Sequence, residues 1–97
     1  MSKTAIRVEI YDQVYPIGGD SDPAYVRRLA ERVDAKMRQV ARETHVVDSL
    51  RVAVLAAINL ADENEELRAQ VERLERRVAE KARALGRDLD RLLDRAG

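Results

Sequence analysis

Apolar and polar residues alternate from Ile6 to Ile10, with Ile6, Val8 and Ile10 on one side and Arg7 and Glu9 on the other. That period of two predicts a β-strand with one covered face. Tyr11-Asp12-Gln13-Val14 reads as a turn and Val14-Tyr15-Pro16-Ile17 as a short second strand. Pro16 offers no amide to a ladder, so this strand belongs at an edge or ends early. A two-stranded hairpin is marginal alone in water. It must lie on a helix or extend into a partner's sheet.

After a loop at Gly18-Gly19-Asp20-Ser21, the period changes. Asp22 followed by Pro23 is a helix start, because Asp caps free amides and proline fits the first helical position. The helix carries Val26, Leu29, Ala30, Val33, Met37, Val40 and Ala41 at spacings of three and four. Arg27, Arg28, Glu31, Arg32, Lys36, Arg38 and Arg42 occupy its other face. Thr44-His45-Val46-Val47 breaks the pattern, and Asp48 or Ser49 caps a new helix.

This second helix is expected from Leu50 to about Leu93, some 45 residues and therefore roughly 65–70 Å long. Its opening stretch, Val52 to Ala61, is apolar on every side: Val52, Leu55, Ala56 and Asn59 share one face, Val54, Ile58 and Ala61 another. Such a helix must be covered all round. The first helix can cover one side, and a second subunit is the expected cover for the other.

From Asp62 onward only a stripe stays apolar. Heptad a positions fall at Ala57, Asn64, Val71, Val78, Leu85 and Leu92, and d positions at Leu60, Leu67, Leu74, Lys81 and Asp88. The seam fails at Lys81 and moves to Ala82, Leu85, Leu89 and Leu92, an inserted spacing of four that unwinds a left-handed supercoil. Asn64 in the seam is either a register device or a tolerated polar residue. The preceding residues are too few to cover such a stripe, so it must pack on other copies of itself. The expected interface residues are Val52, Leu55, Ile58 and Asn59 at a head contact and Leu67, Val71, Leu74, Val78 and Leu85 at a tail contact.

Charge changes the picture by adding a direction. Residues 62–75 hold six acidic and two basic residues, and residues 76–95 hold seven basic and four acidic. Parallel tails would stack like on like, whereas antiparallel tails set acid against base. An antiparallel contact is therefore expected in the assembly.

The bulk composition excludes more than it selects. Of 97 residues, 18 are basic and 18 acidic, so no net charge recommends nucleic acid or an acidic membrane. No cysteine is present, which rules out disulfides and fits a reducing cytoplasm. Met1 to Arg7 has no apolar leader core, so no signal peptide is expected. The apolar run after Leu50 is half of what spans a bilayer. The only histidine, His45, has no companion for metal binding or catalysis, and Gly18-Gly19 lacks the sequel of a phosphate loop. No enzyme activity, cofactor, metal or small-molecule substrate is expected. The alternative to a self-associating structural protein is a coiled-coil dimer binding nucleic acid through the basic face of the first helix. Glu31, Asp34 and Glu43 dilute that face.

Three segments together resemble one family. Val8-Glu9-Ile10-Tyr11-Asp12-Gln13-Val14-Tyr15-Pro16-Ile17 is similar to the hairpin of the bacterial cell-division protein family ZapA, and residues 25–37 to its first helix. Residues 51–63, ending in Asn59-Leu60-Ala61-Asp62-Glu63, resemble the family's alanine-rich segment. The likeness covers about residues 5–66. It implies an α+β, mostly helical fold: a hairpin-and-helix head at residues 1–48, then a long helix at 49–97 with a head-dimer segment and a coiled-coil tail. It also implies a partner, FtsZ, the tubulin-like GTPase of the division ring, whose protofilaments the family cross-links at mid-cell in the cytoplasm. Family members form homodimers that join through antiparallel tails into tetramers. The hairpin positions that carry basic partner contacts in some members hold Gln13 and Pro16 here. Arg27, Arg28, Arg32 and Lys36 of the first helix are the substitute candidates.

Overall fold

The computed structural model describes residues 5–19 and 22–96. Asp20 and Ser21 of the expected loop, residues 1–4 and Gly97 lie outside the described residues. The fold is α+β and mostly helical. Strands β1 (Ile6–Ile10) and β2 (Gln13–Ile17) form an antiparallel hairpin, joined in the chain by helices α1 (Pro23–Thr44) and α2 (Ser49–Ala96).

The turn is tighter than the spacing suggested. Ile10 pairs with Gln13, so Tyr11 and Asp12 alone make the connection. Both have positive φ, 51° and 65°, the signature of a type I′ turn. Neither is glycine, and the conformation is held from outside: the Tyr11 amide donates to Asp34 Oδ1 of α1 at 2.7 Å. Pro16 pairs with Arg7 in the edge strand expected for it.

Helix ends follow local chemistry. Asp22 accepts the Ala24 amide at 3.3 Å, and Pro23 occupies the first helical position of α1. His45 closes α1 in the left-handed conformation and donates its amide to the Ala41 carbonyl at 3.0 Å. The one histidine is thus a helix cap. Asp48 caps α2 by accepting the Leu50 amide at 3.1 Å.

The chain divides between Ala61 and Asp62 into two units. The first contains the hairpin, α1 and the opening of α2. Val8 packs on Val26 and Ala30, while Met37 and Val40 pack on Val52 and Ala56. These seven are the buried apolar residues among those described. The second unit is the remainder of α2, which passes through Gly86 unbroken.

Candidate interaction surfaces

Two apolar surfaces and one basic surface remain uncovered. The first apolar surface belongs to the head. Only one side of the apolar opening of α2 meets α1. Val54, Leu55 and Ile58 point elsewhere, Ile58 being 62% exposed, and Asn59 is exposed beside them. Val52 differs from the other expected head-contact residues. It is fully buried in its own chain against Met37 and Val40, so it supports the head from within and offers no surface to a partner. Beneath β2, an open cavity of about 720 Å³ is walled by Tyr15, Ile17, Met37, Leu50 and Ala53. Tyr15 and Ile17 face this cavity because α1 packs under β1 rather than β2.

The second apolar surface is the tail stripe. Leu67, Val71, Leu74, Val78 and Leu85 are each more than half exposed, as are Leu89 and Leu92. Spacings of three and four put them on one side of α2. Val71, Leu74 and Val78 line a shallow hollow with Ala79. Asn64 is satisfied locally, since its Oδ1 accepts Arg68 Nε at 2.8 Å. An exposed run of large aliphatic residues at this spacing is what a partner helix buries.

The basic surface lies on α1. Arg27, Arg28 and Arg32 are exposed, and Arg28 lies over the Tyr25 ring with its guanidinium carbon 5.7 Å from the centroid. Lys36, further along, is half-buried and engaged within the chain. Arg27, Arg28 and Arg32 reach outward together, with Tyr25 and Leu29 exposed among them.

A charged clasp, absent from the expectations, sits at the hairpin tip. Arg38 donates from Nε to Asp34 Oδ2 at 3.0 Å and from Nη2 to Asp12 Oδ1 at 2.9 Å. Its guanidinium also lies 5.5 Å from the Tyr11 ring centroid. The Arg38 hydrogen bond, and after it the Tyr11 amide, hold the Asp34 carboxyl below the ordinary carboxylate range. Asp34 and then Asp12 keep Arg38 firmly protonated. The one signal in the sequence was the i, i+4 spacing of Asp34 and Arg38, which also fits an ordinary helix-surface pair. Its hairpin partner is too distant in sequence to read.

No single helix among the described residues is long and apolar enough to cross a membrane.

Comparison with known proteins agrees with this arrangement. The sequence profile of the family described as "Cell division protein ZapA" matches residues 6–95. The ZapA of Geobacillus thermodenitrificans is 40% identical over 72 residues, covering 74% of this chain and 79% of the relative. That of Bacillus licheniformis is 35% identical over 79 residues, covering 81% and 93%. Among solved structures, a ZapA mutant dimer from Geobacillus stearothermophilus superposes with a TM-score of 0.61 at 35% identity, covering 80% of this chain and 91% of that one. A conserved Pseudomonas aeruginosa protein of unknown function reaches 0.71 at 28% identity, with 91% and 98% covered. The chain belongs to the ZapA family of cell division proteins.

Proposed function

We propose that this chain is a non-enzymatic cross-linker of FtsZ protofilaments at the mid-cell division ring. It acts as a homodimer through its heads and as a tetramer through antiparallel tails. The observation that carries the reading is the tail stripe: Leu67, Val71, Leu74, Val78 and Leu85 remain over half exposed in the single chain. Leaving so much aliphatic surface in water costs about 25 cal/mol for each Å² that a partner would remove. The head surface around Leu55, Ile58 and Asn59 supplies the other contact, with Val52 shaping it from below.

Membership of a cell-division family supports the partner, and the dimer from G. stearothermophilus supports self-association. Arg27, Arg28 and Arg32 are the filament-facing residues in this reading, with Lys36 adding charge further along the same helix. A tetramer presents several weak basic sites, so bundling is firm while each contact exchanges. Cosedimentation with FtsZ and GTP tests the function. The chain should pellet with the filaments and raise their light scattering. A chain that stays in the supernatant, at low salt and in excess FtsZ, would exclude the reading.

A further inference from the structure

The tail stripe has a symmetry that a regular heptad lacks. From Leu67 its residues are Leu67, Val71, Leu74, Val78, Ala82, Leu85, Leu89 and Leu92. The inserted spacing of four at Ala82 makes the series mirror itself about Val78. Leu74 and Ala82 stand four residues to either side, Val71 and Leu85 seven, Leu67 and Leu89 eleven. At about 100° per residue the stripe stays within some 40° of Val78 on either side, so it needs no supercoil to remain in line. α2 is unbroken throughout.

Resting on the tail pairing proposed above, we propose that two tails cross antiparallel with their two-fold axis at Val78. Val78 then meets its own copy, Leu74 meets the partner's Ala82, Val71 the partner's Leu85, and Leu67 the partner's Leu89. Asn64 opposite the partner's Leu92 is the one polar mismatch, and Asn64 already has its acceptor filled by Arg68. An isologous contact repeats every pairing twice.

The stripe itself selects this register. Sliding the pair by seven residues one way sets Leu74 against the partner's Glu75, and sliding it the other way sets Ala82 against the partner's Lys81. Both alternatives put a charge into the seam.

The chain has no cysteine, so introduced thiols report the register directly. Val71→Cys is mixed in turn with a differently tagged Val78→Cys, Leu85→Cys or Leu92→Cys chain and oxidised mildly. The mixed disulfide should form chiefly with Leu85→Cys, because thiols link only where Cα atoms approach within about 7 Å. Preferential linkage to Val78→Cys or Leu92→Cys would overturn the register while leaving tail pairing intact. Self-linked Val71→Cys and Leu85→Cys products in place of the mixed one would mean parallel tails and overturn it too. The absence of any disulfide between chains would overturn the pairing itself.

Discussion

The backbone amide of Tyr11 donates to Oδ1 of Asp34 at 2.7 Å, joining positions 23 residues apart. Through it a type I′ turn without glycine is fixed to α1, and Arg38 completes the clasp by binding both Asp34 and Asp12. Asp34→Ala leaves a part-buried amide unpaired, which costs about 1–3 kcal/mol. The head should melt earlier, and amide exchange at Tyr11 should accelerate while exchange along the tail does not. Equal acceleration in head and tail would contradict a local clasp.

The same residue carries a pH dependence of known sign. Its folded-state pKa lies below the unfolded value near 3.9, so its contribution is present above about pH 4. It is lost as pH falls through the lower, folded value. Acid titration of head stability should therefore show a steeper fall in the wild type than in Asp34→Asn. Identical slopes would mean that the carboxylate contributes nothing.

Val52 and Ile58 are near neighbours on α2 with opposite roles. Val52 is fully buried, so Val52→Ala removes packed methyl groups and should cost about 2–3 kcal/mol at any protein concentration. Ile58 is 62% exposed in the chain, so Ile58→Ala should act through the partner. Its melting temperature should fall most at low concentration, where dissociation competes. Thermal scans of both variants over a concentration series separate the two effects.

Gly86 lies inside α2, and a methyl group placed there would meet no neighbouring atom. Gly86→Ala should therefore stabilise the tail by about 1 kcal/mol through helix propensity. Circular dichroism on heating would show it as a later loss of helix. A destabilised variant would mean that a partner backbone approaches closely at Gly86.

Arg28→Glu and Arg32→Glu should weaken pelleting with FtsZ without changing the mass of the assembly, because both side chains point away from the packed face of α1. Wild-type pelleting should also decline with salt, as screening shortens the reach of exposed charges. Unchanged pelleting by the double variant would move the filament contact away from α1.

Much of this was legible because local chemistry and period agreed. The β1 alternation, the Asp22-Pro23 start, the Asp48 cap and the uninterrupted run to Leu93 each had a local cause. The local pattern makes the turn look two residues longer than it is, because what holds Tyr11 and Asp12 at positive φ lies on α1. Val52 shares a helix face with Leu55 and Asn59, so spacing alone assigns all three to one contact. Only the packing of Met37 and Val40 shows that this face is divided between the chain's own core and its exterior. Arg38 looked like one more cation of a solvated face until the hairpin was folded against it.

Sedimentation equilibrium of the wild-type chain at micromolar concentration, beside Val71→Glu and Leu74→Glu, tests the exposed stripe most directly. The account predicts tetramers for the wild type and dimers for both variants, with helix content retained. A well-folded wild-type species at the single-chain mass of 11.0 kDa would contradict it.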